Sequence, residues 1–103
     1  MGADVNAQGG KYGPLLQTVL LSGSDAIAKL LIEEGAHVNA QGGYHGNALQ
    51  IASCKGNKAM VKLLIEKGAD VNAKGGYYGD AVHAASFNGH KEIAKLLIQN
   101  GAL

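Results

Sequence analysis

Several residue types are scarce in this chain of 103 residues, and each scarcity excludes a class of protein. There is no tryptophan, one proline and one cysteine, and all nine basic residues are lysine. A lone cysteine, Cys54, cannot form an internal disulfide, which is typical of a protein in a reducing, cytoplasmic or nuclear setting. Nucleic-acid binding favours a basic stripe that includes arginine, whereas these lysines are scattered. We therefore expect an intracellular protein without a nucleic-acid partner.

Long apolar runs are also missing. No stretch approaches the roughly 18 apolar residues that a membrane span requires, and no signal-peptide hydrophobic region follows Met1. Gly2 could suggest myristoylation, but Asn6 stands where that motif requires serine or threonine. The sequence predicts a soluble, cytoplasmic protein that does not bind a membrane.

No set of residues suited to catalysis or metal binding is recognisable. The four histidines do not have the spacing of a zinc site, and no cysteine cluster accompanies them. The glycines do not form the G-x-x-x-x-G-K-[ST] phosphate loop, and no nucleophile, base and orienting residue stand together. We expect no enzymatic activity, no metal and no cofactor, and we interpret Cys54 as a semi-exposed bystander rather than a nucleophile.

Glycine, in contrast, is abundant, and it marks a repeat. The phrase Gly35–Gly43 has near-copies that begin at Gly2 and Gly68, and a truncated copy opens at Gly101, so the period is 33 residues. A fixed period of this length indicates a solenoid, in which each unit is stabilised by stacking on its neighbours. We predict a single domain, 1–103, with repeats at 2–34, 35–67 and 68–100 and the start of a truncated fourth repeat at 101–103.

Each repeat is expected to contain two short helices. In the middle repeat, Asn47 precedes a helical stretch that stops at Gly56, which indicates an N-cap and a left-handed C-terminal glycine. Asn57 can then cap a second helix over 58–67, where apolar residues recur at helical spacing. Such short helices are marginal in isolation, because helices below about 12 residues are barely stable in water. Stacking must therefore hold them.

The outer repeats follow the same pattern with other caps. Asp80 is predicted to cap the first helix of the third repeat. In the first repeat, Pro14 is expected at the first helical position, where its missing N–H costs nothing, followed by Leu15–Ser22. Ser24 is expected to cap the next helix. The paired glycines between repeats favour positive φ angles and predict hairpin-like turns.

These motifs resemble the ankyrin repeat along the whole chain. The family's GADVNA phrase stands at Gly68–Ala73 and Gly2–Ala7, and its second-helix pattern is matched by Gly89–Ile98. The family's T-P-L-H tetrapeptide is replaced by Asn47–Gln50 and Asp80–His83, in which Asn and Asp can still cap a helix. The resemblance implies an all-α ankyrin-repeat solenoid of stacked helix-turn-helix units with Gly-rich hairpin-like turns.

The turns with paired glycine and tyrosine are similar to those of the long ankyrin arrays in fungal NACHT-type signalling NTPases. That narrower resemblance implies a segment of a larger array or an engineered repeat protein, and it brings no nucleotide site. Asn6, Asn39 and Asn72 match the site that asparaginyl hydroxylases modify in some ankyrin proteins. A turn-stabilising asparagine is the simpler interpretation.

The resemblance also implies a protein-binding scaffold, because ankyrin arrays bind proteins on the concave face formed by hairpin tips and first helices. All five aromatic residues of the chain fall at such positions. Tyrosine is enriched at binding surfaces because it offers a large area with few rotamers. Alternatively, Tyr44 and Tyr77 simply cover the glycine pair of the neighbouring hairpin. The predicted partner-binding residues are Lys11, Tyr12, Tyr44, His45, Cys54, Lys55, Tyr77, Tyr78, Phe87 and Asn88, with Leu21 and Ser22 at the corresponding positions of the first repeat.

A second hypothesis concerns the two ends of the array. Natural arrays end in polar capping repeats, whereas the first and last helices here keep leucine and isoleucine. The alternative function is therefore a structural repeat fragment that stacks end to end with copies of itself. Otherwise we expect a monomer that binds a protein partner.

Overall fold

The structure is a computed structural model that describes residues 12–42 and 44–103, with side chains from Leu15 onward. These residues form three helix-turn-helix pairs and no named strand, which confirms the predicted all-α repeat solenoid. None of the described helices has the length and apolar character needed to cross a bilayer. The helices are α1 Tyr12–Ser22, α2 Asp25–Glu33, α3 Ala48–Lys55, α4 Lys58–Glu66, α5 Ala81–Phe87 and α6 Lys91–Gln99.

The three pairs stack in chain order, and the molecule measures 41 × 24 × 22 Å. The first helices of the pairs, α1, α3 and α5, are termed the inner helices and pack closely on one another. The second helices, α2, α4 and α6, are termed the outer helices, and they contact each other less. Each helix is short, so packing against its neighbours supplies most of its stability.

The core is aliphatic and runs through all three pairs. Small side chains at Ala48, Ala52 and Ser53 are buried in α3, where they let the inner helices approach closely. No aromatic side chain is buried among those that the structure describes. The largest fully buried aliphatic side chains are Leu16, Leu49, Ile51, Val61, Leu64 and Leu97.

Side-chain caps start the helices of the second and third repeats. The side chain of Asn47 accepts a hydrogen bond from the backbone N–H of Gln50 at 2.9 Å, and Oε1 of Gln50 accepts from the N–H of Asn47 at 2.8 Å. This reciprocal arrangement is a capping box. Asn57 caps α4, and Asp80 caps α5. The three predicted caps are confirmed.

The first repeat departs from the prediction at both helix starts. Helix α1 begins at Tyr12, so Pro14 is the third helical residue rather than the first. Proline is tolerated there because the first four N–H groups of a helix have no partner within the helix. Ser24 stands at the N-cap position of α2, but its side chain makes no capping hydrogen bond. The predicted Ser24 cap is therefore wrong.

The glycine-rich turns close as hairpins. The backbone N–H of Gly42 donates to the carbonyl of Gly46 at 2.7 Å, and that of Gly75 donates to Gly79 at 2.9 Å. Gly46 and Gly79 have φ angles of 88° and 89°, in the left-handed region where glycine avoids the clash of a Cβ atom. The predicted hairpin-like turns are confirmed.

The asparagines of the repeated phrase join one repeat to the next. The side chain of Asn39 donates to the carbonyl of Gly68 at 3.0 Å and accepts from the N–H of Asp70 at 2.7 Å. Asn72 makes the same pair of bonds with the backbone of residues 101–103, at 3.0 and 2.9 Å. These side chains therefore stabilise the contact between successive phrases rather than their own turn alone.

Candidate functional site

The exposed aromatic side chains meet on one surface, where the two hairpins adjoin α5. The rings of Tyr44 and Tyr77, one repeat apart, stack with centroids 5.0 Å apart and planes 11° apart. Tyr78 meets Tyr77 edge to face at 4.9 Å, and Phe87 lies 5.3 Å from Tyr78. These four residues are termed the aromatic ladder, because each ring contacts the next.

Backbone contact between the two hairpins positions the stacked tyrosines. The N–H of Tyr77 donates to the carbonyl of Tyr44 at 2.7 Å. The hairpins approach so closely that a Cβ atom on Gly76 would lie 2.5 Å from the carbonyl carbon of His45. Gly76 also has a φ of 70°, which favours glycine. The paired glycines therefore bring the tyrosine rings into register.

The ladder is exposed even though its rings touch. Tyr44, Tyr77 and Phe87 retain 61%, 63% and 74% of their accessible surface, and Tyr78 is half-buried. Tyr44 and Tyr77 thus cover one another and still present most of their surface to water. Contiguous exposed apolar surface is uncommon on soluble monomers, and tyrosine and phenylalanine are enriched in protein interfaces.

The ladder shifts the acidity of Tyr44. Desolvation raises the pKa of its phenol above the ordinary value of 10.0, and Coulombic interaction with Tyr77, Tyr78 and Cys54 raises it further. The phenol therefore stays protonated at neutral pH. It offers a partner an apolar ring and a neutral hydroxyl that both donates and accepts hydrogen bonds.

The predicted polar residues of the face lie beside the ladder. His45 packs edge-on against Tyr44, with centroids 5.0 Å apart. Cys54 is half-buried, and its sulfur lies 3.5 Å from the side-chain nitrogen of Asn88. Lys55 reaches back to the first repeat and donates to the carbonyl of Leu21 at 3.0 Å. The last two contacts join successive inner helices.

Part of the predicted surface of the first repeat lies outside the described residues. Lys11 lies outside the described residues, as does Asn6. The backbone of Tyr12 is described as the first residue of α1, and its part in the binding surface stays a prediction. Leu21 is exposed at the end of α1, and the Ser22 hydroxyl donates to a carbonyl of its own helix at 2.8 Å.

A carboxylate and an imidazole meet at the start of α5. Oδ1 of Asp80 lies 2.7 Å from Nδ1 of His83, and Oδ2 lies 2.9 Å from Nζ of Lys74. Burial alone would raise the pKa of Asp80, but hydrogen bonds from the His83 backbone, Lys74 and the His83 ring outweigh burial and lower the pKa below 3.8. Asp80 is therefore ionised at neutral pH, and Nδ1 of His83 carries the proton between them.

Together with Ser86, this pair supplies the residue types of a hydrolytic triad but lacks the geometry. A triad requires the histidine to be hydrogen-bonded to the nucleophile, and in the described structure His83 bonds Asp80 while Ser86 makes no bond to it. The pair acts as the helix cap. Among residues 12–42 and 44–103, no three His, Cys, Asp or Glu side chains converge in a way that could hold a metal ion.

A recurring side-chain amide, which the sequence motifs did not predict, joins the first two repeats to the hairpin that follows each of them. Nε2 of Gln50 donates to the carbonyl of Gly75 at 2.7 Å. Gln17 occupies the same position one repeat earlier and donates to two carbonyl groups of the next turn, at 3.0 and 3.2 Å. His83 occupies this position in the third repeat. The 33-residue recurrence of glutamine was the available signal.

Residues 15–103 match the family model for ankyrin repeats, in three copies. The chain belongs to the ankyrin repeat family, as the resemblance predicted. Ankyrin repeats are generally protein–protein interaction modules, and the family is typically non-catalytic. A search of curated proteins found no match. The narrower resemblance to fungal NACHT-type arrays stays a prediction.

Proposed function

We propose that this chain is a non-catalytic scaffold that binds a protein partner through the aromatic ladder and the inner-helix residues beside it. The observation that carries this proposal is the continuity of the ladder. Four rings from two hairpins and α5 touch at 4.9 to 5.3 Å and remain largely open to water. Cys54, Lys55 and Asn88 form the adjoining part of the proposed surface.

The physical advantage of such a surface is preorganisation. A tyrosine has few rotamers to lose on binding, and a ring already stacked on its neighbour has fewer still. Gly76 and the hydrogen bond between Tyr77 and Tyr44 fix the hairpins that hold these rings. Binding therefore orders little that is not already ordered in the free protein.

A notch at the end of the ladder supplies the most suitable place for an anchoring side chain. It is open to solvent, with a volume of about 680 Å³. Its walls contain no carboxylate and no lysine, so an apolar group can enter without burying an unpaired charge. We propose that an apolar side chain of the partner inserts here, as interface anchors do. The residues that line the notch are Tyr77, Tyr78, His83, Ser86 and Phe87.

Selection of a random peptide-display library on the folded chain tests this proposal without knowledge of the partner. Peptides enriched on the parent should bind the Phe87→Ser variant at least about tenfold more weakly, because the variant removes one wall of the notch. Ile98→Ser is the matched control, since it also removes an exposed apolar side chain but lies on the outer helix α6. Its binding should equal that of the parent.

The result that contradicts the proposal is equally specific. If the enriched peptides bind the parent and Phe87→Ser with the same affinity, or lose affinity only for Ile98→Ser, the ladder is not the binding surface. Circular dichroism and urea unfolding of both variants establish that each one is folded, so that a loss of binding reports on the surface.

A further inference from the structure

The tyrosine hydroxyls of the aromatic ladder lie close together, and their hydrogen bonds are not used within the described part of the chain. Desolvation raises the pKa of Tyr44, and charge interaction with Tyr77 and Tyr78 raises it further, so the three phenols are near enough to affect one another. None of the three hydroxyls bonds to a residue that the structure describes. Each is therefore a donor that a partner can use.

Exposed carboxylates are missing from the hairpins and inner helices that the structure describes. The one carboxylate there, that of Asp80, is buried and bonded to Lys74 and His83. The other described carboxylates lie on the outer helices or in the turns that directly follow them. They are Asp25, Glu33, Glu34, Glu66, Asp70 and Glu92. An anion that approaches the ladder therefore meets no exposed charge of its own sign on these elements.

Positive charge, in contrast, is present beside the ladder. Lys55 is exposed at the end of α3, and its bond to the carbonyl of Leu21 uses one of its three N–H donors. Lys74 pairs with Asp80 at 2.9 Å, yet its side chain keeps 71% of its accessible surface. The face thus combines neutral O–H donors with ammonium groups, which is the donor set that suits a carboxylate.

This donor set does not depend on what precedes or follows the chain. Tyr44 and Lys55 belong to the middle repeat, which has a described helix pair on each side. Tyr44 retains 61% of its accessible surface although Tyr77 stacks on it, so a neighbouring repeat leaves this position open to water. The surface is therefore available within a longer array as well.

We propose that the partner binds through an acidic segment, in which carboxylates flank the apolar side chain that contacts the ladder. This inference rests on the scaffold function proposed above and specifies the chemistry of the partner. The carboxylates accept hydrogen bonds from the Tyr44 hydroxyl and the Lys55 ammonium group. Charge-assisted bonds of this kind are roughly twice as strong as neutral ones. A basic segment would instead meet Lys55 and Lys74 as like charges, which disfavours a wrong partner.

The peptides selected on the folded chain from the random display library test this inference. Those that lose affinity for the Phe87→Ser variant should contain more Asp and Glu than the unselected library. Replacement of their acidic residues by Asn and Gln should weaken binding to the parent about tenfold, because each replacement removes a charged acceptor. A rise in NaCl from about 50 mM to about 500 mM should weaken the original peptides at least about threefold, because salt screens exposed charges.

Two variants locate the effect on the chain. Tyr44→Phe removes the hydroxyl and keeps the ring, and it should weaken the acidic peptides about fivefold. Lys55→Gln should weaken them about threefold. Lys62→Gln is the matched control, because it removes an exposed lysine of the same repeat from the outer helix α4. This control should bind like the parent. Peptides whose acidic residues are already replaced should bind Tyr44→Phe and the parent equally, because no carboxylate is left to use the hydroxyl.

The outcomes separate this inference from the scaffold function itself. Peptides that depend on Phe87 but show no excess of Asp and Glu, or that bind Tyr44→Phe and Lys55→Gln like the parent, overturn the acidic segment and leave the scaffold function intact. Equal weakening by Lys62→Gln and Lys55→Gln also overturns it, because net charge alone would then explain the preference. A library without enriched peptides, or with peptides indifferent to Phe87→Ser, contradicts the scaffold proposal as well. Urea unfolding establishes that each variant is folded.

Discussion

The residue that caps the inner helix is buried in both repeat 2 and repeat 3, but its partners differ between the junction of these repeats and the C-terminal end of the array. At the junction, Asn47 and Gln50 form a buried, neutral capping box whose amide extends to the next hairpin. At the end, Asp80 forms a charged cap with Lys74 and with His83, which is exposed. A neutral amide suits the junction because it brings no charge to desolvate, whereas the buried Asp80 carboxylate is compensated by hydrogen bonds from Lys74 and His83, whose side chains stay exposed.

The largest expected difference between these two regions concerns a pair of glycines. Gly46 and Gly79 have nearly the same positive φ, so either Gly→Ala change costs about 1–2 kcal/mol of left-handed strain. A Cβ atom on Gly46 would also overlap Oε1 of Gln50 and lie 3.1 Å from the carbonyl carbon of Gly75, whereas one on Gly79 would meet nothing within 4 Å. Urea unfolding should show a loss of about 3 kcal/mol for Gly46→Ala and about 1 kcal/mol for Gly79→Ala. Equal losses would mean that the junction adapts freely.

A smaller difference in unfolding free energy is expected when the side chain three residues after each cap, Gln50 or His83, is replaced by alanine. Gln50→Ala leaves the buried N–H of Asn47 and the carbonyl of Gly75 without their partner, so it should destabilise the fold by about 2 kcal/mol. His83→Ala removes an exposed ion-pair partner and should cost less than about 1 kcal/mol. Urea unfolding at pH 7 measures both changes. A cost for His83→Ala as large as that for Gln50→Ala would contradict the distinction between junction and end.

Charge at the end should make stability depend on pH in a way that the junction does not. The pKa of Asp80 is lowered in the fold, so its stabilising effect is present above the unfolded pKa and is lost as the pH falls through the folded pKa. At pH 7, Asp80→Asn should cost about 1 kcal/mol, because asparagine still caps but loses the charged partners. The parent and the variant should converge in stability when the pH falls below 3.8. If the difference in unfolding free energy between parent and variant stays constant as the pH falls well below 3.8, the charge of Asp80 contributes nothing to stability.

The smallest expected effect is that of the exposed ring at the end of the ladder. Phe87→Ala should change the free energy of unfolding by no more than about 0.5 kcal/mol, because the side chain is already in water. Tyr44→Ala should cost about 1 kcal/mol, because it removes the stack with Tyr77 at the junction. Urea unfolding of the two variants beside the parent provides the comparison. Several kcal/mol for Phe87→Ala would identify it as a structural residue and remove its place in the proposed surface.

The parts of the fold that the sequence predicted correctly depend on residues close together in the chain. Asn47, Asn57 and Asp80 cap helices through backbone groups three positions away, so a local pattern suffices to find them. The start of α1 was misplaced because no Asn, Asp or Ser marks it. Proline is acceptable at several positions of a first turn, so Pro14 does not fix the boundary.

Local sequence patterns did not predict the contacts between repeats. The stack of Tyr44 on Tyr77 and the bond from Gln50 to Gly75 join residues 33 and 25 positions apart in the chain. Both contacts depend on how closely the two hairpins approach. Gly76 permits this close approach, but a glycine in the sequence does not by itself predict it. The tyrosines could be assigned to hairpin tips, and the ring contacts that unite them as a surface required the packed structure.

The bonds of Asn39 and Asn72 have a mechanical consequence. Each of these side chains makes two hydrogen bonds with the main chain of the next copy of the repeated phrase. The bonds lie beside the ends of the outer helices, which pack loosely on one another. A pull along the direction in which the repeats stack therefore places the same load on the hydrogen bonds of Asn39 and those of Asn72. Because a short hydrogen bond breaks within a small extension, the array should lengthen in discrete steps of one repeat rather than as an elastic spring.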